Sequence, residues 1–196
     1  GAAWIILYAV LRRTVRTKED ISRELNQNCI GVLPQVVFKK YKQKVNLDIL
    51  ITNPLIGNSF KESLRLLRGS IQNSLQPSEK VVMLTSTAPG EGKSVATVNL
   101  AAMFAKNESK VLVIDGDLRD SGIIKMLSKS RVRVREVGEA KNGLYTLSRV
   151  KALGIDVLTF NAPSQRLWKI MRTSNFQQLI DSLKNEYDLI FIDTPP

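Results

Sequence analysis

The chain has 196 residues, 43% of them hydrophobic, enough for one sizeable core and too apolar for a disordered or fibrous protein. Its 29 Lys and Arg against 18 Asp and Glu give a formal charge of +11, so the surface favours anionic partners: nucleic acid, acidic lipid or phosphorylated ligands. A single cysteine excludes an internal disulfide and any CxxC metal or redox motif, and there is no histidine. Cys29 itself reads as a small buried apolar residue.

The chain opens on the apolar run "GAAWIILYAVL", shorter than the ~20 residues needed to cross a bilayer, and Arg12, Arg13, Arg16 and Lys18 follow at once. That order suits the cytoplasmic end of a membrane helix, with Trp4 and Tyr8 at the interface. Residues 1–13 are therefore expected to end a membrane-spanning helix, the alternative being an ordinary buried helix. Residues 14–58 read as a juxtamembrane segment and linker. Within them "TKEDISRELN" suggests a short helix with Thr17 as N-cap, "CIGVLP" an extended stretch, and 35–58 an irregular polar connection. In "NSFKESLRLLRGSIQNSL", Phe60, Leu64, Leu67, Ile71 and Leu75 form one apolar helical stripe. Glu62, Arg65 and Arg68 follow three-residue steps along one flank, and the plain reading is a solvated face with ion pairs of ~0.3–0.5 kcal/mol.

From residue 80 onward, short apolar runs alternate with helical stretches. "VVML" (81–84), "VLVI" (111–114), "VLTF" (157–160) and "LIFI" (189–192) read as strands buried on both faces, and 93–106 and 174–186 as helices. This is the βαβ pattern of an α/β protein with a mainly parallel sheet flanked by helices. A chain stopping on its last strand leaves such a sheet incomplete, so truncation is expected at both ends. Residues 125–151 carry eight Lys or Arg and two Glu; they read as a solvated insertion, with an exposed edge strand or a basic patch as alternatives. Almost no aromatic residues are interleaved there for base stacking, so nucleic acid is not an expected partner.

The stretch "TSTAPGEGKS" (85–94) joins the first strand to a helix and ends as a phosphate-binding loop does, although Thr87 stands where the common G-x-x-x-x-G-K-[ST] pattern has its first glycine. A strand, loop and helix N-terminus in that order form an anion site, because backbone N–H groups converge and the helix dipole adds positive potential. Pro89 and Gly90 can supply the tight turn that the missing glycine would have made. The candidate nucleotide-binding residues are Pro89, Gly90, Glu91, Gly92, Lys93, Ser94 and Val95, with Lys93 reaching the β- and γ-phosphates and the Ser94 hydroxyl ligating Mg²⁺. Asp115 and Asp117 lie just past the second strand and Asp193 ends the fourth, so all three can converge on the loop at the carboxyl ends of the strands. Asp193 is the natural Walker B acid, acting on the metal through water. For Asp115 and Asp117 the alternative is a helix N-cap.

Together these residues resemble the bacterial tyrosine kinases of capsule and exopolysaccharide synthesis, a branch of the P-loop group that includes the MinD and ParA ATPases. The resemblance covers 60–196: Walker A at Pro89 to Ser94, Walker A′ in "VLVIDGDLR", Walker B in "LIFIDTPP", and an E-x-x-R-x-x-R oligomerisation motif at Glu62, Arg65 and Arg68. "LRRTVRTKEDISRELNQNCIGVLP" looks like the segment leaving the membrane part of a chain-length regulator, here fused to the kinase. The resemblance implies a P-loop tyrosine kinase domain over 59–196, cut after Walker B, binding ATP or ADP with Mg²⁺. It implies catalytic roles for Lys93, Asp115 and Asp117, a metal shell of Ser94, Asp115 and Asp193, and docking of the Glu62 helix on the next subunit of a ring. The substrate would be a tyrosine tail on the neighbouring subunit, reversed by a cognate phosphatase, at the cytoplasmic face of the inner (plasma) membrane. Some positions depart from the family: Asp120 and Ser121 follow Arg119, "NAPSQRLWKIM" lacks an expected acid, and no tyrosine-rich tail lies within these residues. Tyr145 and Tyr187 are poor acceptors, since Tyr187 abuts a core strand. Two other functions remain: a MinD- or ParA-like ATPase switch, whose signature lysine is replaced here by Ala88 beside Pro89, and a nucleotide-binding scaffold without catalysis.

Overall fold

The computed structural model describes residues 18–36, 49–106, 109–117, 122–130, 132–139, 143–161 and 174–195. The chain divides into two compact units, Gly1–Val32 and Leu33–Pro196. In the first, α1 (Lys18–Leu25) carries Glu19 and Asp20 in its first turn, where the helix dipole favours negative charge. It is followed by Asn26 at φ 50°, the left-handed conformation that commonly ends helices. Cys29 is only half-buried, which corrects the buried reading: its neighbours Ile30 and Val32 are exposed, and its thiol donates to the Gly31 carbonyl at 3.3 Å. Residues 1–13 and Thr17 lie outside the described residues, among which no helix is long and apolar enough to cross a membrane.

The second unit is built on a six-stranded sheet in the order β1-β6-β2-β5-β4-β3, where β1 is Val81–Leu84, β2 Val111–Asp115, β3 Arg135–Glu139, β4 Tyr145–Val150, β5 Ile155–Phe160 and β6 Leu189–Asp193. β1, β6, β2 and β5 run parallel, while β4 and β3 continue the sheet antiparallel. The helices are α2 (Asn58–Ser74), α3 (Lys93–Ala105), α4 (Gly122–Lys129) and α5 (Ser174–Glu186). Period-two alternation in the central strands feeds both faces. Val111, Val113, Leu189 and Phe191 join the core under α2, α3 and α4, and Leu112, Ile114, Ile190 and Ile192 join the core under α5. Phe104 of α3 meets Phe191 with ring centroids 5.6 Å apart, tilted by 52°. The α2 stripe packs as read: Phe60, Leu64 and Ile71 are buried, with Leu67 and Leu75 against them.

Three expectations are corrected. β1 is an edge strand and leaves Met83 63% exposed, so it is not buried on both faces. The basic stretch 125–151 is more than a solvated insertion: it contains most of α4 and all of β3 and β4, with Val132 and Val134 against the core and β3 as a fully exposed edge strand, the alternative reading. The connection 35–58 is not wholly polar linker, because Leu50, Ile51 and Ile56 are core residues within the compact unit that begins at Leu33. Asn99, fully buried on α3, anchors that segment: its amide donates to the Ile49 carbonyl at 2.7 Å and its oxygen accepts the Ile51 N–H at 2.7 Å.

Candidate nucleotide site

The site forms where β1, β2 and β6 end. Gly90 and Gly92 sit at φ 81° and 84°, a backbone that side chains resist, and they bend the chain from β1 into the N-terminus of α3. Among the described residues, Asn26 is the one non-glycine with positive φ, so Thr87 occupies an ordinary conformation and its position has no need of glycine. Gly92 caps α3 without a side-chain hydrogen bond, which leaves the first-turn amides directed at the loop's mouth. The Glu91 carboxylate turns back on the loop, accepting the Thr87 N–H at 3.0 Å, the Ala88 N–H at 3.3 Å and the Thr87 hydroxyl at 2.9 Å. Val95 lines the groove outside the loop, and its carbonyl accepts from Asn99 at 2.8 Å.

Asp193, at the end of β6, gathers the polar groups. Its Oδ1 accepts from Lys93 Nζ at 2.8 Å and from Thr97 Oγ1 at 3.3 Å, and its Oδ2 accepts from Ser94 Oγ at 2.6 Å. Asp193 and Lys93 are both almost wholly shielded from water. The strand end is fixed by Thr194, whose N–H and hydroxyl both donate to the Leu84 carbonyl, and by Gly116, whose N–H donates to the Asp193 carbonyl at 2.8 Å. Asp115 is the register partner of Asp193 on β2 and is 2% exposed. Burial, partly offset by the Ile123 N–H and reinforced by the nearby Asp193 charge, pushes the Asp115 carboxyl up to about 7. Its two oxygens accept the Asp117 and Ile123 N–H groups at 3.3 Å each, so it helps cap α4 while facing the site. Asp117 is half-buried beside it, and Arg119 lies outside the described residues.

Lys93, Ser94, Asp115 and Asp193 thus come together as read. Thr97 joins them from outside the motif pattern, on the helix that the loop opens, and Gly116, between Asp115 and Asp117 in the Walker A′ stretch, ties the end of β2 to the Asp193 carbonyl. The oligomerisation residues divide. Glu62 and Arg65 are exposed and paired with each other, whereas the half-buried Arg68 donates to the Met103 carbonyl of α3 at 3.3 Å. Tyr187 is buried, its hydroxyl donating to Asp156 at 2.9 Å, and burial with that bond raises its pKa further. A groove of about 970 Å³ runs from the loop past Leu33, Val36, Ile49 and Phe60. The donor set fits Mg²⁺ with a nucleotide: a serine hydroxyl and a carboxylate 2.6 Å apart supply the hard oxygen atoms that ion prefers, beside a glycine-bent cradle of amides. No cluster of three or more acidic or cysteine side chains able to hold a metal occurs among the described residues, so oxygen atoms of the ligand and water would complete any shell.

Residues 78–196 match the sequence profile of the family described as ParA: NUBPL iron-transfer P-loop NTPase. Tyrosine-protein kinase CpsD of Streptococcus pneumoniae serotype 4 is 34% identical over 121 residues, covering 60% of this chain and 53% of that protein. Tyrosine-protein kinase ptk of Acinetobacter johnsonii is 24% identical over 204 residues, covering all of this chain and 28% of its relative. The kinase domain of the Escherichia coli tyrosine kinase ETK superposes with a TM-score of 0.69 at 24% identity, covering 93% of this chain and 74% of that one. The chain therefore spans about half the length of the first of these relatives and less of the second. With the loop, both acidic strand ends and the mainly parallel sheet in place, the chain belongs to the ParA-type P-loop NTPases, and within them it is similar to bacterial tyrosine-protein kinases.

Proposed function

We propose that the chain is the catalytic region of a protein tyrosine kinase that transfers the γ-phosphoryl group of ATP to tyrosine, and so regulates polymerisation and export of a capsular or extracellular polysaccharide. The observation that carries the reading is the closure of Lys93 and Ser94 on the Asp193 carboxylate at 2.8 and 2.6 Å, directly beneath the glycine-bent loop. Lys93 binds the terminal phosphates, the amides of Gly92 to Ser94 hold the β-phosphate, and Ser94 with Asp193 holds the metal. Bound Mg²⁺ supplies charge neutralisation on the phosphate oxygens. Asp115, buried with both oxygens engaged, orients the Walker A′ turn so that Asp117 faces the incoming hydroxyl. The apolar groove beside the loop suits the nucleoside.

The loop favours this reading over an ATPase switch, because Ala88 and Pro89 occupy the positions of the switch group's lysine and glycine. The acceptor tyrosines are placed on a tail of the neighbouring subunit in a ring, a phosphatase reverses the reaction, and the site works at the cytoplasmic face of the inner membrane beside a chain-length regulator.

The test is phosphotyrosine formation on a Glu-Tyr copolymer with Mg-ATP, beside Lys93→Met. The reading expects a signal that the substitution removes. A signal that survives Lys93→Met would sink the kinase assignment, and ATP turnover without phosphotyrosine would favour the switch.

A further inference from the structure

The first glycine of the usual phosphate loop is missing, yet the loop is bent and anchored from within. We propose that Glu91 is a positioning residue: its carboxylate clamps the loop entrance and leaves only the inner amides to receive the phosphates. The proposal rests on the reading of this site as a nucleotide site.

Two consecutive backbone N–H groups, Thr87 and Ala88, converge with the Thr87 hydroxyl on one carboxylate at 3.0, 3.3 and 2.9 Å. Converging amides of this kind are a concavity for an anion, here filled by the chain's own side chain. The Thr87 hydroxyl first, then the two amides, hold the Glu91 carboxyl below the usual carboxylate range, so it stays ionised at neutral pH.

Three consequences follow from that geometry. The tie spans the Pro89–Gly90 turn, so residues 87 and 91 are held together while Gly90 and Gly92 keep their positive φ. A phosphate finds the outer donors already taken, and it meets instead the first-turn amides of α3, which have no side-chain cap. The carboxylate also repels phosphate, so its charge and its hydrogen bonds act on affinity in opposite directions. Removing the whole side chain loses the bonds, whereas Glu91→Gln removes the charge and keeps one acceptor oxygen.

Titration with N-methylanthraniloyl-ADP and Mg²⁺ separates the two effects, with thermal melting to confirm the fold of each variant. Glu91→Ala is expected to weaken binding roughly five- to tenfold, Glu91→Gln by no more than about twofold, and Thr87→Val, which loses only the hydroxyl, by an amount between them. Glu91→Ala binding as tightly as the wild type, or tighter, overturns the proposal, because the side chain would then be a repelling surface charge. Hydrogen exchange without nucleotide tests the clamp independently: the Thr87 and Ala88 amides are protected in the wild type and lose protection in Glu91→Ala. Unprotected amides in the wild type overturn the clamp whatever the binding result. Protected amides in a wild type that binds no nucleotide would support the clamp and sink the reading of the site itself.

Discussion

Two residues at the strand ends pull the site in opposite directions. Asp115 is nearly sealed from water and its folded carboxyl sits at about 7, against 3.8 for the free side chain. Below pH ~4 both folded and unfolded chains hold the proton, and no differential exists. Between ~4 and ~7 the unfolded chain has released it while the folded chain keeps it, so stability falls as pH rises and the full penalty is present above ~7. About three pKa steps at ~1.36 kcal/mol each set an upper scale of about 4 kcal/mol. Asp115→Asn is therefore expected to melt progressively higher relative to the wild type as pH goes from 5 to 8, with EDTA present. A difference independent of pH would contradict the buried, proton-holding carboxyl. Gly116 acts by shape instead. A Cβ there would come within 2.7 Å of the Asp193 carbonyl oxygen, a backbone atom that cannot swing aside. Gly116→Ala is expected to cost about 1–3 kcal/mol in urea unfolding, and to weaken Mg²⁺-dependent nucleotide binding more than metal-free binding, since it displaces the Asp193 strand end.

Among the elements, α3 is the joint of the molecule. Its N-terminus opens from the glycine-bent loop, its first two turns supply Thr97 and Asn99, and its buried face carries Val98 and Leu100 to Phe104 into the core. Asn99 links it to residues 49–51 through bonds made wholly in the interior. Asn99→Leu would leave the Ile49 carbonyl and the Ile51 N–H without their partner, at about 2–4 kcal/mol. The expected result is a lower urea midpoint at unchanged slope, with faster exchange of the Ile51 amide; an unchanged midpoint would show that water replaces the bonds at no cost. The sequence pattern reveals β2, β5 and β6 because burial on both faces leaves continuous apolar runs, and helical periodicity reveals α2. It hides β4 and leaves β3 open between a solvated insertion and an edge strand, since an exposed antiparallel edge alternates charge with small apolar residues as a solvated loop can. It also hides the packing of Leu50, Ile51 and Ile56, whose partners lie far along the chain. The site was legible where a motif fixes backbone and charge together, as at Gly92, Lys93, Ser94 and Asp193. The clamp by Glu91 was not legible, because no spacing rule tells a loop carboxylate to fold back on its own amides.

At the scale of the whole molecule, function collects at one end of the sheet and stapling at the other. The carboxyl ends of the parallel strands carry the loop, Asp115 and Asp193. At the opposite end Arg149 bonds Asp156 through two contacts of 2.9 Å, Tyr187 donates to the same carboxylate, and Lys80 caps α5 through the Lys184 carbonyl at 2.7 Å. Assembly would involve a third region, the outer face of α2. Its three motif residues do not form one surface: Glu62 and Arg65 pair in solvent next to Leu66, which is 66% exposed, while Arg68 turns inward and its Nε is buried without a hydrogen-bond partner among the described residues. An exposed arginine can be lost without disturbing the fold, whereas an arginine whose stem and carbonyl contact lie between two helices cannot. Arg65→Ala is therefore expected to reduce the assembled species in size-exclusion chromatography with light scattering and to leave the melting midpoint in place. Arg68→Ala is expected to destabilise the fold by about 1 kcal/mol, seen first as a lower melting midpoint. If Arg68→Ala instead abolishes assembly at an unchanged midpoint, its guanidinium must leave Met103 when subunits meet, and the buried Nε without a partner would mark the atom that the neighbouring subunit satisfies.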